Sequence, residues 1–136
     1  MSRSIKYLLL SLASGLALGL SWPVHGLTFL IFVSLVPLLY LEVLIRNDNF
    51  KLKSIRIFCY SYLIFLIWNL ITTWWLYNSS FFGMLFANLF NSLFYALIFL
   101  IFYWVKSRLP YRSSYVFLIS IWIAFEKLHL IWDFSW

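Results

Sequence analysis

The sequence predicts an all-α integral membrane protein, a bundle of about five transmembrane helices, and two features of its composition lead to this fold class. Of the 136 residues, 65% are hydrophobic and only 10% are charged, whereas a soluble domain carries about 45–50% apolar and about 25% charged residues. The apolar residues are gathered in long runs that short polar stretches separate. A water-facing surface cannot be built from this composition, but a lipid bilayer solvates it.

The predicted spans follow these runs, because about 20 helical residues cross the hydrocarbon core. Their approximate ranges are 7–22, 27–45, 57–77, 81–105 and 113–130. Helix is the predicted state because a span in lipid must satisfy its own backbone hydrogen bonds, and no two-residue alternation indicates a barrel.

The first and the last run each allow two interpretations. A basic start followed by an apolar stretch is also typical of a signal peptide. However, Ser11, Gly15 and Gly19 repeat every four residues and give one small-residue face for close helix packing, so we expect a retained span. The fifth run is apolar only over residues 115–125, with Ser120 as the one exception. It is predicted to be either a tilted span or a helix whose outer end unwinds.

The net charge of +6 indicates membrane topology and not nucleic-acid binding. Nine of the ten Lys and Arg residues fall within 3–6, 46–56 and 106–112, and Lys127 is the exception. Each group flanks an apolar run, as expected of loops that positive charge holds on the cytoplasmic side. With a cytoplasmic N-terminus, alternating spans place all three groups on that side. We therefore predict no nucleic-acid partner.

Two residues in the apolar runs carry reactive or ionisable groups near the predicted cytoplasmic side. Glu42, near the cytoplasmic end of the second span, is expected to reach the interface or meet a basic loop in a structural role. Cys59 is the single cysteine, so no internal disulfide can form. It is expected to be an inert packing residue, because apolar surroundings disfavour the thiolate.

Two polar faces lie on the third and fourth helices. They consist of Asn69, Thr72 and Thr73 on the third helix and Asn88, Asn91 and Ser92 on the fourth. Spacings of three and four residues put each set on one side of its helix. We expect these faces to pair with each other, and the alternative is that both line a lipid-accessible cavity.

Aromatic residues close the third run, at Trp74, Trp75 and Tyr77. An aromatic belt at the outer interface accounts for them, and the alternative is that they border a lipid headgroup site.

Acidic residues and a histidine follow the fifth apolar run. Glu126, His129 and Asp133 have the spacing i, i+3 and i+7, so a continuing helix would put them on one face. Such groups can bind a metal or move protons, but a metal site normally needs three or four converging ligands. We expect an interfacial structural or headgroup-contacting role, and we predict no metal and no cofactor.

Three stretches, in their order and spacing, carry a family resemblance. The first is Leu20-Ser21-Trp22-Pro23, followed by the run that contains Val36-Pro37-Leu38-Leu39. The second covers residues 68–79, and the third covers 124–129 and then 132–136. Together they resemble the N-terminal membrane region of apolipoprotein N-acyltransferase over nearly the whole chain.

The resemblance implies a function for the parent enzyme. Members of this family transfer an acyl chain from a membrane phospholipid to the N-terminal cysteine amine of a bacterial lipoprotein, through an acyl-thioester. They use a Glu-Lys-Cys triad in a nitrilase-like domain that follows the membrane helices. Residues 1–136 would then be the N-terminal transmembrane domain, a membrane anchor in the bacterial inner membrane with a cytoplasmic N-terminus. The end at Trp136 is expected to reflect a truncation.

The resemblance also implies which residues and partners matter. No catalytic residue falls in this chain, since Cys59 lies in the wrong region, and the fragment alone is expected to be inactive. Outer-side candidates for substrate or domain contact are Trp74, Trp75, Tyr77, Asn78 and Glu126. The implied partners are membrane phospholipid, the lipoprotein substrate and the nitrilase-like domain. The alternative is a non-enzymatic small polytopic membrane protein, a transporter or assembly subunit that uses the two polar faces.

Overall fold

The computed structural model describes residues 2–22 and 26–131, and these residues form a bundle of helices. In chain order the helices are α1 (Arg3–Leu20), α2 (Ile31–Ser34), α3 (Val36–Asn47), α4 (Lys53–Thr73), α5 (Phe81–Lys106) and α6 (Tyr111–His129). Short 3-10 helices cover Thr28–Leu30 and Trp74–Asn78. The predicted all-α fold class is confirmed.

Four stretches of the described chain are long and apolar enough to cross a membrane. They are Arg3–Leu20, Thr28–Asn47, Lys53–Asn78 and Phe81–Lys106. The fifth predicted span is also helical, as α6, but it is not among these four. Arg112, Glu126 and Lys127 all lie within its 19 residues, which lowers its apolar character.

The second stretch is not one continuous helix. It starts as a 3-10 turn, continues as α2 and restarts as α3 after Leu35, with Pro37 in the first turn of α3. Proline has no backbone N–H, so it fits the first turn of a helix but breaks an interior. The carbonyl of Ser34 at this break accepts a hydrogen bond of 2.6 Å from Ser14 Oγ of α1. The neighbouring helix therefore satisfies a carbonyl at the interruption.

Helix α4 lies in the centre of the bundle. It packs against α1 on one side and α5 on the other, while α6 packs on α5 and α3 packs on α1 and α4. The largest fully buried apolar side chains are Phe65, Phe99, Phe102, Leu38, Leu41, Ile45, Ile57 and Ile64. They come from α3, α4 and α5, so the core of the bundle lies where these helices meet.

The small-residue face of α1 packs directly on α4. A Cβ atom at Gly15 would lie 2.9 Å from the Ile64 carbonyl oxygen, and one at Gly19 would lie 2.6 Å from the Ile71 side chain. Ser11 is fully buried on the same face and donates to the Tyr7 carbonyl at 2.9 Å. The close approach of α1 to α4 therefore requires glycine, and α1 is an integral part of the packed bundle.

The apolar residues that point away from the core form the outer surface of the bundle. Phe32 and Phe82 are 86% and 80% exposed, and residues 57–68 of α4 are apolar or aromatic on all sides apart from Ser61. Cys59 lies on this outer surface and is exposed, so the expectation that it packs inside is wrong. An all-round apolar helix gives no sequence signal for which face meets its neighbours.

A buried ion network ties the basic ends of three helices together. Glu42 of α3 is fully buried and accepts from Arg46 Nε and from Lys106 Nζ, both at 2.6 Å. Lys106 also donates to Tyr115 OH of α6 at 3.1 Å, and Arg46 donates to the Tyr103 carbonyl at 2.7 Å. The expectation that Glu42 meets a basic loop is confirmed, because Lys106 ends α5 where that loop begins.

A second acidic residue fastens the start of α1 to the end of α3. Asp48 forms an ion pair with Arg3. Its carboxylate also accepts a hydrogen bond from Tyr7 OH at 2.7 Å and another from the backbone N–H of Asn49 at 2.9 Å. The hydrogen bond from Tyr7 and these further contacts outweigh desolvation and lower the pKa of the Asp48 carboxyl. The contacts of Asp48 and Glu42 bring the three basic groups to one end of the bundle, which we call the basic end.

Substitution of Gly15 by alanine tests the α1–α4 contact. The added methyl group would meet the backbone of α4, so we expect a loss of about 1–3 kcal/mol in the free energy of unfolding. Gly83→Ala is the matched control, because its Cβ would meet only Ser80 of its own turn, at 3.3 Å. Unfolding in mixed detergent measures both, and equal stability of the two variants would contradict close packing of α1.

Removal of the Glu42 charge tests the ion network. Glu42→Gln leaves Arg46 and Lys106 near each other without a counter-charge, so we expect a loss of about 3 kcal/mol or more. The triple variant Glu42→Leu/Arg46→Leu/Lys106→Met should recover most of it, because apolar residues can replace a complete buried ion triad. The same unfolding measurement applies, and a stability of Glu42→Gln equal to that of the wild type would show that the network is not structural.

Candidate functional site

The two polar faces meet at the end of the bundle opposite the basic end. Asn91 Nδ2 of α5 donates to Asn69 Oδ1 of α4 at 2.7 Å, and Asn69 Nδ2 donates to Ser92 Oγ at 3.3 Å. One turn further along, Thr73 Oγ1 lies 3.1 Å from Asn88 Oδ1 and can donate to it. The expected pairing of the two faces is confirmed, and it holds α4 against α5 in this region.

The same side chains also bond back to their own helices. Asn69 donates to the Phe65 carbonyl at 2.8 Å, Asn88 to the Met84 carbonyl at 2.8 Å and Ser92 to the Asn88 carbonyl at 2.6 Å. Polar groups inside a membrane bundle need such partners, because lipid offers none. These bonds fix the rotamers of the amides, so the polar faces form an ordered surface.

A cavity of about 280 Å³ opens beside this paired surface. Its lining combines tryptophan rings, amides, hydroxyls, one carboxylate and one imidazole: Trp22, Trp68, Asn69, Thr72, Thr73, Trp75, Asn91, Tyr95, Glu126 and His129. Members of both polar faces therefore pair and also line a cavity, while the access of lipid to this cavity stays a prediction. We call this space the tryptophan-rich cavity.

Tyr95 forms one wall of the cavity and joins α5 to α6. Its side chain is buried, and its hydroxyl donates to Glu126 Oε1 at 2.7 Å. Its ring lies 5.0 Å from the Trp68 ring and 5.1 Å from the Trp122 ring, measured between centroids. Aromatic rings at these distances attract one another, so these contacts help to hold Tyr95 in place.

The floor of the cavity contains an acceptor without a partner among the described residues. Asn91 is 7% exposed, and its Oδ1 atom accepts no hydrogen bond from the part of the chain that the structure describes. A buried acceptor of this kind calls for a donor, either from water or from a bound group. The cavity is thus polar at its floor and aromatic on its walls.

This arrangement suits binding better than covalent catalysis. Three hydroxyl groups line the cavity, and each is engaged: Thr72 donates to the Trp68 carbonyl at 3.0 Å, Thr73 to the Asn69 carbonyl at 2.7 Å and Tyr95 to Glu126 at 2.7 Å. The thiol of Cys59 lies ten residues before Asn69 on the same helix, about 15 Å along its axis. The cavity can orient a polar group between aromatic rings, but its lining contains no thiol nucleophile.

The structure separates the five predicted contact residues into two sets. Trp75 and Glu126 line the tryptophan-rich cavity. Trp74, Tyr77 and Asn78 lie on the 3-10 helix Trp74–Asn78, exposed on the outside of the bundle. The ring of Tyr77 contacts the Phe81 ring edge-on, with centroids 6.0 Å apart. The roles of all five residues in substrate or domain contact stay predictions.

Part of the acidic cluster at the end of α6 belongs to the cavity. Glu126 and His129 both line it, as their spacing of three residues on one helix face predicts. Asp133, the third member, lies outside the described residues. Within the described part of the chain, no three His, Cys, Asp or Glu side chains are grouped closely enough to hold a metal ion.

Sequence reasoning did not place Tyr95, Trp22 and Trp68 in a site. Tyr95 continues the polar face of α5, since it follows Asn88 by seven residues and Asn91 by four, and this spacing could have identified it. No comparable signal exists for Trp22, which lies after α1 and reaches the cavity only through the packing of α1 on α4.

The amide pair at the floor of the cavity can be tested with a double-mutant cycle. Asn69→Ala and Asn91→Ala each remove one side of the 2.7 Å hydrogen bond. We expect a coupling free energy of about 0.6–1.7 kcal/mol, the range of such bonds between membrane helices. Unfolding of the four proteins in detergent measures it, and a Ser120→Ala control on the exposed side of α6 should show no coupling to Asn91→Ala. Strict additivity at positions 69 and 91 would contradict the pairing.

Comparison with known proteins agrees with this membrane architecture. Residues 14–136 match the family described as apolipoprotein N-acyltransferase N-terminal domain. The chain is 35% identical over 134 residues to the apolipoprotein N-acyltransferase of Chlorobaculum tepidum, a match that covers 96% of this chain and 24% of that protein. The chain thus spans about a quarter of the length of this relative. No solved structure matches. Because the family match covers most of the described helices, the chain belongs to the apolipoprotein N-acyltransferase family and corresponds to its N-terminal domain.

Proposed function

We propose that this chain is the membrane-anchoring N-terminal domain of an enzyme that acylates the N-terminal cysteine amine of bacterial lipoproteins, with a phospholipid as acyl donor. The observation that carries this proposal is the family match over residues 14–136, on a bundle with four stretches able to cross a membrane. The domain would hold the nitrilase-like catalytic domain at the outer face of the inner membrane. The acyl-transfer chemistry itself would take place in that catalytic domain.

The orientation that we propose places the basic end in the cytoplasm. Arg3, Arg46 and Lys106 are held at this end by Asp48 and Glu42, so their positions follow from packing and not from chance. Positive charge is retained on the cytoplasmic side of membrane proteins. The N-terminus would then be cytoplasmic, and the tryptophan-rich cavity would open toward the outer leaflet.

The tryptophan-rich cavity is the proposed contact site for a polar part of the substrate. Tryptophan rings favour the level of the lipid headgroups, and Trp75 and Glu126 would meet such a group beside the unpartnered Asn91 Oδ1. Trp74, Tyr77 and Asn78 are exposed next to it, where the lipid interface or the catalytic domain would cover them.

The pairing of the amides supports this proposal over a transporter or assembly subunit. A transport path needs polar groups that stay available to a solute, whereas Asn69 is engaged by Phe65, Asn91 and Ser92. The polar faces thus act mainly to hold α4 on α5.

A chimeric enzyme tests the proposal. In this chimera, the chain would replace the matching quarter of the Chlorobaculum tepidum enzyme. The host cells would be depleted of their own N-acyltransferase, and mass spectrometry of a lipoprotein would measure its acylation. We expect the chimera to restore the acylated form, and Trp75→Ala and Glu126→Gln to lower the acylated fraction at least several-fold. Matched controls are Trp104→Ala, since Trp104 is 50% exposed and Trp75 49%, and Lys127→Gln beside Glu126. A well-inserted chimera without activity would contradict the assignment.

The isolated chain provides the second arm of this test. Purified residues 1–136 should yield no acylated lipoprotein, because no described residue lining the cavity offers a thiol. Turnover by the chain alone, lost on Cys59→Ser, would overturn the anchoring role.

A further inference from the structure

A groove between α3 and α6 lies toward the basic end and is separate from the tryptophan-rich cavity. It measures about 460 Å³ and is lined by Val36, Leu39, Tyr40, Val43, Tyr111 and Tyr115. Helix α6 packs on α5 and not closely on α3, which leaves this α3–α6 groove open along the bundle. Its lining is apolar along α3, with tyrosine rings from both helices at its sides.

Positive charge is concentrated at the tyrosines of the groove. Lys6 Nζ lies 3.5 Å from Tyr40 OH and 5.2 Å from the centre of its ring. Lys106 donates to Tyr115 OH at 3.1 Å. Lys106 is neutralised by Glu42, but Lys6 forms no ion pair with any described residue. Arg112 is exposed in the first turn of α6, next to the groove residue Tyr111.

We propose that the α3–α6 groove binds one phospholipid with an anionic headgroup, from the leaflet at the basic end. An acyl chain would lie along Val36, Leu39 and Val43, and the phosphate would be held by Lys6 and the tyrosine hydroxyls. Basic pockets between transmembrane helices on the cytoplasmic side are suited to anionic headgroups. This site is separate from the tryptophan-rich cavity. Its proposal depends on the proposed insertion of the chain in the membrane, but not on a role in acyl transfer.

Shape and charge favour a lipid over a second copy of the chain in this groove. The groove of about 460 Å³ is open and apolar along α3, so one acyl chain can lie in it lengthwise while the rest of the lipid stays in the bilayer. A second copy of the chain would bring the same cations to the same surface, and like charges repel across a self-complementary interface. An acyl chain with an anionic head satisfies both the shape and the charge.

Native mass spectrometry of the purified chain tests the proposal, with phosphatidylglycerol or phosphatidylcholine added in mild detergent. We expect one phosphatidylglycerol to bind in preference to phosphatidylcholine. Lys6→Gln should weaken this binding about fivefold, as expected for one basic residue at an anionic lipid. Lys51→Gln is the matched control: Lys51 is exposed at the same end, but within the described chain it makes no hydrogen bond or cation–π contact with a tyrosine of the groove, whereas Lys6 contacts Tyr40.

A groove-filling substitution separates a defined site from diffuse attraction. Val36→Trp should block phosphatidylglycerol binding, while Val33→Trp should not, since Val36 and Val33 are 57% and 54% exposed but only Val36 lines the groove. Equal binding of both lipids, equal effects of Lys6→Gln and Lys51→Gln, or no effect of Val36→Trp would each overturn the proposal. A lipid-free dimer that Val36→Trp disrupts would assign the groove to a second copy instead.

Controls distinguish this result from the fate of the proposed function. Circular dichroism and thermal unfolding of each variant show whether the bundle is intact. Flotation of the chain with liposomes tests membrane insertion by itself, and the lipid-binding measurement involves no turnover. A negative lipid result with an active chimera would therefore refute the groove site alone.

Discussion

The burial of the Glu42 carboxylate is the constraint on which the arrangement of this bundle depends. A charge in a membrane bundle is costly unless it is paired and hydrogen-bonded. Glu42 is fully buried, and its two oxygens accept from Arg46 of its own helix and Lys106 of α5. Since Lys106 also bonds to Tyr115, one carboxylate determines how α3, α5 and α6 meet at the basic end.

The two ends of the bundle are consequently different in chemistry. Ion pairs and cations occupy one end, where Asp48 also fastens α1 to the loop after α3. Paired amides and tryptophan rings occupy the other end, around a cavity of about 280 Å³. In the orientation that we propose, the cations at one end would set the direction of insertion, and the opposite end would contact polar groups of the substrate. This division of roles would suit the proposed anchoring domain.

The sequence predicted what depends on composition and on spacing along one helix. Runs of apolar residues predicted the helices, the repeat of Ser11, Gly15 and Gly19 predicted a packing face, and the spacing of the amides predicted their pairing. The sequence could not predict which face turns outward in the middle of α4, because residues 57–68 are almost entirely apolar or aromatic, and so the placement of Cys59 was wrong. Nor could it predict the tryptophan-rich cavity, which exists only where α1, α4, α5 and α6 come together in space.

Labelling of single cysteines in intact cells tests the proposed orientation of the bundle. Cys59 is exposed, so Cys59→Ser gives a background in which Asn78→Cys and Lys51→Cys mark the two ends. With a membrane-impermeant maleimide and an intact inner membrane, we predict that the cysteine at position 78 is labelled at once. The cysteine at position 51 should react only after the membrane is permeabilised. Labelling of position 51 in intact cells with protection of position 78 would contradict the proposed orientation.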